Sequence, residues 1–372
     1  MGHSSGFLSR FPTPQYAYDI GDRIPPIFGR DQFGTPFSLR LASGRPRLIL
    51  VLDACAEQDA TELISSFHDF VLTHREQVTP LILLNADIAE KLRTLDVADG
   101  VAILSDSRKV IRELRAVRPV SAGSIDPRHP VFAVLTDPFL RIAAVQNITC
   151  PDDARVPFPH QSINTLIEHQ SRIDPPVLIV PDLLTAEQCN ALISLWRDDN
   201  STGLITVGNS SETAHREDSS RICRDHQIKD PHLKETLQNT VGARVADTIA
   251  RIFNANMSFF EDMLIVGYDA AAGGHFSAHR DNACPSLIHR QFALSLSLNS
   301  GTYRGGGVTF PEFSDRIYDP PLGAGLIFTC GLLHRALPVT QGERLILSGF
   351  LWSKESEDVR HKMAARSDSR AN

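Results

Sequence analysis

GHFSAHRD, residues 274–281, sits at the centre of the β-rich C-terminal half of the chain. It lies among short apolar runs: DMLIVGYD (262–269), QFALSLSLN (291–299), GGGVTFPEF (305–313), GAGLIFTCG (323–331), HRALPVT (334–340) and ERLILSGFLW (343–352). Gly, Pro and Asp turns separate these runs, a pattern that predicts a sandwich or jelly roll. Upstream, VLIVPDLLTAEQCNALISLWRD (177–198) predicts a strand and then a helix capped by Thr185, with Gln188 three residues on as in a capping box. HLKETLQNTVGARVADTIARIFN (232–254) has the spacing of a second amphipathic helix.

The first part of the chain, about residues 16–170, has a different grammar. Apolar runs at 46–52, 78–85 and 101–106 alternate with helical patterns such as ATELISSFHDFVLTH, IAEKLRTLD and RKVIRELRAV. Such alternation predicts a mainly parallel sheet covered by helices. PVFAVLTDPFLRIAAVQ (130–146) reads as an antiparallel edge hairpin around an Asp-Pro turn, and SINTLIEHQ as a closing helix. Pro and Asp concentrate near residues 151–176, which marks a boundary. The expected division is a tail at 1–17, domains at 18–170 and 171–355, and a C-terminal tail at 356–372 whose last dozen residues read as frayed.

Composition excludes several classes. The 372 residues are 42% apolar and 22% charged, as in globular proteins, so a disordered chain is not expected. A net charge of -7 gives no basic footprint for nucleic acid. No uncharged apolar stretch approaches the ~20 residues that cross a bilayer, so no membrane role is expected. The six cysteines (Cys55, Cys150, Cys189, Cys223, Cys284 and Cys330) form no CxxC pair, and the first residues hold no apolar signal core. Reduced thiols and a cytoplasmic location are the expectation.

Chemistry concentrates around GHFSAHRD. On a strand, His279 and Asp281 share a face, so an imidazole and a carboxylate aim into one space. His334, at the end of the apolar strand GAGLIFTC beside the Gly331 turn, is the candidate third ligand. Two His and one carboxylate on one face of an octahedron leave open positions, as in non-haem Fe(II) oxygenases. Arg344, ten residues beyond His334 on ERLILSGFLW, can offer a bidentate fork to a carboxylate. The alternative is a buried core histidine beside a turn aspartate. His275 and His289 read as surface or supporting residues, Arg280 as pointing away from the metal, and Arg221 as a solvated arginine. Cys284 and Cys330 read as ordinary packing or rim positions.

With these motifs in order, residues 176–353 resemble the prolyl 4-hydroxylase-type 2-oxoglutarate/Fe(II) dioxygenases. VLIVPDLLTAEQCNALI resembles the family's opening strand and helix, VGYDAAAGGHFSAHRDN its Tyr–Gly-rich–HxD segment, GGGVTFPEF its GG-x-x-FP turn, and LLHRALPVTQGERLILSGFLW its His–x9–Lys/Arg segment. The resemblance implies an α+β domain built on a double-stranded β-helix (jelly roll). It implies Fe(II) on His279, Asp281 and His334, the distal carboxylate of 2-oxoglutarate on Arg344, and a hydrogen bond from Tyr268 to that cosubstrate. It also implies O2 as cosubstrate, ascorbate as reductant, and hydroxylation of a peptidyl or small-molecule C–H bond with release of succinate and CO2. An aromatic hydroxyl often found on the QFALSLSLN strand is replaced by Ser297. By alternation Ser295, Ser297 and Asn299 share a face, which either lines the site or forms the polar outer side of an edge strand.

YDIGDRIPPIFGRDQFGTPFSLRLASGRPRLILVLDAC (18–55) and HPVFAVLTDPFLRI (129–142) resemble peroxiredoxins, which implies an α/β thioredoxin-like N-terminal domain with Pro130 at the fold's cis-proline position. The expected Pro-x-x-x-Thr-x-x-Cys is absent, and Asp53, Glu57 and Asp59 around Cys55 disfavour a thiolate. The domain is therefore expected to be non-catalytic, with docking of a protein partner and support of the oxygenase as its two open roles. Two other functions stay open: a thiol peroxidase or redox sensor using Cys55, and a binding module on a vestigial oxygenase fold.

Overall fold

A computed structural model describes residues 18–19, 21–39, 44–54, 56–91, 101–104, 108–115, 117–118, 131–148, 162–166, 173–208 and 213–368. The chain divides into two compact units, residues 1–173 with 311–313, and residues 174–310 with 314–372.

In the first unit a short strand at Tyr18–Asp19, paired with Val117–Arg118, precedes a hairpin of β1 (Phe28–Arg30) and β2 (Pro36–Ser38). Then come β3 (Arg47–Leu52), α1 (Glu57–Thr73), β4 (Thr79–Leu84), α2 (Ala86–Lys91), β5 (Ala102–Leu104), α3 (Arg108–Arg115), β6 (Val131–Thr136) and β7 (Ile142–Asn147). The sheet order is β5-β4-β3-β6-β7, with β3, β4 and β5 parallel and β6 and β7 antiparallel. β3 is buried throughout because both of its faces are covered. Leu48, Leu50 and Leu52 pack with Leu63, Ile64 and Phe67 of α1, whereas Ile49 and Val51 pack with Ile111 and Leu114 of α3. The expected edge hairpin is present, its turn tied by the Arg141 amide donating to Asp137 Oδ1 at 2.8 Å. Cys55, Cys150 and Pro130 lie outside the described residues.

The second unit begins with β8 (Leu178–Val180) and α4 (Ala186–Asp198). Both arms of the Thr185–Gln188 capping box are made. Two short strands follow that matter to the site: β10 (Arg221–Ile222) and β11 (Arg224–Gln227), preceded by β9 (Ser201–Thr202). The expected helix at 232–254 is α5 (Pro231–Leu237), a π-helical turn (Gln238–Gly242) and α6 (Ala243–Phe253), ending at left-handed Asn254. The other strands of the two main sheets are β12 (Phe259–Phe260), β13 (Leu264–Asp269), β14 (His275–His279), β15 (Phe292–Ser297), β16 (Val308–Phe310), β17 (Ser314–Tyr318), β18 (Gly325–Thr329), β19 (His334–Ala336) and β20 (Glu343–Trp352).

These strands form two antiparallel sheets. The larger has the order β8-β18-β15-β20-β13-β11-β9, with β12 on β20, and the smaller the order β10-β14-β19-β16-β17. One face of the larger sheet packs Ile265, Leu294, Leu296, Leu345 and Leu347 against Leu192, Trp196, Val245 and Ile249 of the helices. The opposite face carries Val266, Tyr268 and Ile346 in a second cluster. Because β-strand side chains alternate, Arg344 and Ser297 fall on that second face.

Strand pairing decides between the two readings of the Ser295–Ser297 face. β15 is not an edge strand but lies between β18 and β20, so Ser295 and Ser297 are buried. The C-terminal segment begins as a helix, α7 (Lys354–Asp368). Glu357 anchors that helix by accepting from Trp352 Nε1 at 2.6 Å and from Arg360. No helix among the described residues is long and apolar enough to cross a membrane.

Candidate metal centre

The site is built where β14 meets β19. His279 and His334 are direct antiparallel partners, so both imidazoles leave the sheet on one face, ring centroids 4.3 Å apart. His334 does not end the GAGLIFTC strand; it opens β19 after the turn at 330–333. Asp281 is likewise not on the strand. β14 stops at His279, and the chain turns so that the Asp281 amide donates to Cys330 O at 3.1 Å. That bond, rather than strand alternation, carries the carboxylate back between the two rings.

Asp281 Oδ1 lies 3.4 Å from His279 Nε2, and Oδ2 lies 3.6 Å from His334 Nε2. One potential ligand atom from each residue falls within 4.8 Å of the others. His279 Nδ1 sits 2.8 Å from Ser277 O, and His334 Nδ1 sits 3.1 Å from Leu332 O. A backbone carbonyl can only accept, so each Nδ1 carries the proton and each Nε2 keeps its lone pair for a cation. Burial pushes the His334 imidazole down to about 4, so it is neutral at neutral pH. Burial opposes the charge on Asp281, yet His334 and His279 together hold its carboxyl below the usual carboxylate range. Two imidazoles and one carboxylate fit a divalent cation.

Aromatic rings wall this group. Phe276 stacks on His279 with centroids 3.5 Å apart, while Phe328 and Phe310 stand 4.6 and 6.2 Å from His334. Behind Phe276 lies Arg221, its guanidinium carbon 5.4 Å from the ring centroid. Arg221 is not solvated, as the sequence suggested. Its side chain is 8% exposed and forms a bidentate pair with Asp225 at 2.8 and 2.9 Å. Arg280 turns away from the ligands and donates to Gly331 O. His275 Nδ1 bonds Gly273 O, and His289 is buried edge-on against Trp352, so neither joins the cation group. Cys330 is fully buried and Cys284 hydrogen-bonds Ser286, as packing residues do.

Farther in, on the inner face of the larger sheet, Tyr268 and Arg344 are direct partners across β13 and β20. The Arg344 guanidinium carbon lies 5.6 Å from the Tyr268 ring centroid, and Arg344 is 1% exposed. Burial pushes the Tyr268 hydroxyl pKa up, so it stays protonated. Arg344 Nε and Ser297 Oγ are both buried and make no hydrogen bond. Buried polar atoms are nearly always satisfied, so this unused pair fits an anionic ligand with oxygen acceptors. Asn299 does not face the site freely; it splices β15 to β20 through Glu343 O and the Leu345 amide.

The sequence left three features unread: the Arg221–Asp225 pair, the Phe276 stack, and Tyr303, whose hydroxyl donates to Asp319 Oδ1 at 2.6 Å. The R-x-x-x-D spacing of the first was visible, but only the β10–β11 turn brings those side chains together.

Residues 263–352 match the family model described as the 2OG-Fe(II) oxygenase superfamily. At the level of this superfamily the resemblance holds for this segment, about a quarter of the chain, and its paired antiparallel sheets are of the jelly-roll type. No curated protein matches the chain. Among solved structures, a prolyl-4-hydroxylase of Pseudomonas putida is 19% identical, with 51% of this chain and 96% of that chain covered and a TM-score of 0.37. The viral collagen prolyl hydroxylase of Paramecium Bursaria Chlorella virus-1 is 17% identical over 47% of this chain and 94% of its own, with a TM-score of 0.35. A putative thiol:disulfide interchange protein from Chlorobium tepidum is 13% identical over 41% of this chain and 99% of its own, with a TM-score of 0.31.

Proposed function

We propose that the chain is an Fe(II)- and 2-oxoglutarate-dependent dioxygenase that hydroxylates a C–H bond of a peptidyl or small-molecule substrate. The observation that carries this reading is the convergence of His279, Asp281 and His334, with Nε2 of both imidazoles and the carboxylate turned to one point. When bound, Fe(II) with 2-oxoglutarate and O2 would supply the oxidising chemistry, with succinate and CO2 as co-products and ascorbate as the external reductant.

The chain's own residues would do the rest. His279, Asp281 and His334 would hold the metal, their Nδ1 protons parked on Ser277 O and Leu332 O. Arg344 would pair with the distal carboxylate of the cosubstrate, and the free Ser297 hydroxyl would donate to the same ligand. Tyr268, protonated and buried against Arg344, would offer a further hydrogen bond. Phe276, Phe310 and Phe328 would keep water from the reacting centre.

The N-terminal unit, with a boundary near residue 170, is read as a thioredoxin-like module without catalysis of its own that supports the oxygenase or docks a partner. The test is a succinate-release screen over peptides, free amino acids and cell extracts, with mass-spectrometric detection of oxygenated product. His279→Ala and His334→Ala should each abolish release. Undiminished turnover in both variants would overturn the assignment.

A further inference from the structure

Phe276 and His279 stand three residues apart, so a regular strand would send their side chains to opposite faces. They share one face instead. Phe276 pairs with Ala336 and His279 with His334, so three steps along β14 oppose two along β19. The extra residue makes a β-bulge, which re-aims a side chain. At the bulge the Ser277 amide donates to Ser220 O, the residue before β10, at 2.7 Å. The bulge therefore does two things: it lays Phe276 on His279, and it ties β14 to the start of β10.

Arg221, the first residue of β10, is the direct antiparallel partner of Phe276. Its guanidinium carbon stands 5.4 Å from the Phe276 centroid, and that ring stacks on His279 at 3.5 Å. The guanidinium is itself locked. Nη1 and Nη2 donate to the two carboxylate oxygens of Asp225 at 2.8 and 2.9 Å, and Nη1 donates to Leu204 O at 2.9 Å. A planar fork held at both prongs cannot turn without losing both bonds. The Cys223 thiol donates to the same carboxylate, 3.4 Å from Oδ1. Gly203 makes room for the group, since a Cβ there would stand 2.6 Å from Arg221 Nη1.

We propose that Arg221, locked by Asp225, is a positioning residue for the metal ligand His279 and acts through Phe276. The proposal rests on the reading above that His279 holds a divalent metal. The Ser277 carbonyl holds Nδ1 at one point, which leaves the imidazole free to tilt about that bond. The Phe276 face removes the tilt, and the cation attracted to the same ring keeps that face in place. Asp225 has a second task. An unpaired cation near the site would repel a divalent metal, and the carboxylate cancels its charge.

The experiment is titration of the full-length protein with Mn(II), the free ion being counted by electron paramagnetic resonance. Arg221→Met should weaken Mn(II) binding about fivefold, in the range of one cation–π contact. Added to Phe276→Leu, it should weaken binding no further, because the ring that transmits its effect is gone. A residue that merely stabilised the fold would lower affinity equally in both backgrounds. Arg221→Met/Asp225→Leu, which leaves no unpaired charge, carries the same comparison if Arg221→Met does not fold. Unchanged Mn(II) affinity in the Arg221 variants, or equal losses with and without Phe276, would overturn the proposal. Failure of the unsubstituted protein to bind Mn(II) would instead remove the metal-site reading on which it rests.

Discussion

Phe276 lies face to face with His279, ring centroids 3.5 Å apart and planes inclined by 16°. Arg221 covers the same phenyl ring, so a buried cation, an aromatic ring and an imidazole form one stack. The stack sets the imidazole plane, and the carbonyl of Ser277 sets its tautomer. Phe276→Leu should free the ring and weaken divalent-cation affinity about tenfold, the lower end of what supporting contacts to metal ligands are worth. Competition with a metallochromic dye measures it; an unchanged affinity would show that the Ser277 contact alone holds the imidazole.

The Arg221–Asp225 pair behind the stack is mostly buried, with side-chain exposures of 8% and 17%. Removing one partner strands the other charge. Arg221→Met should cost about 3 kcal/mol in urea unfolding, and the double variant Arg221→Met/Asp225→Leu should cost less than Arg221→Met alone. Additive losses would mean that the two charges are not coupled.

Gly323 links the helical cap to the site strand. Its amide donates to Ser297 O, and its carbonyl accepts from Leu183 and Leu184. It has φ +72°, and a Cβ there would overlap the Leu184 carbonyl oxygen. Gly323→Ala should lower stability by about 2 kcal/mol or more, read as a drop in the urea midpoint.

His289 is buried against Trp352, and its Nδ1 makes no hydrogen bond. Burial, then the neighbouring Arg290 charge, lowers its pKa below the ordinary 6.5. The unfolded chain therefore binds a proton at a pH where the folded chain does not. This contribution to stability is complete above pH 6.5 and is lost as pH falls toward the folded-state value. His289→Gln should flatten the dependence of melting temperature on pH below about pH 6.5. An identical slope in both proteins would show that His289 does not titrate on unfolding.

Much of the candidate site was legible because its signals are local. The HxD pair, the later His334 and the Arg344 strand each stand in a short run whose residue types announce them. The error about Asp281 shows the limit of that reading. Alternation along β14 suggested a shared face, but the strand ends at His279, and a hydrogen bond to Cys330 returns the carboxylate to the site. The Ser297 question had the same origin. Alternation says which side chains share a face, but not whether a strand is central or at an edge. Only the pairing of β15 with both β18 and β20 buries that face.

By itself, then, the sequence determined the alternation of strands and helices before residue 150, the β-rich second half, the Thr185 cap and the identity of the three converging side chains. Periodicity, capping and turn chemistry act over a few residues, so they are written in the chain. The tertiary structure decided what depends on distant segments meeting. It set His334 opposite His279, placed Arg221, held by Asp225, over Phe276, and joined Tyr303 to Asp319. Those contacts are fixed by strand register and by glycines that let backbones and side chains close up, and neither leaves a periodic trace in the sequence.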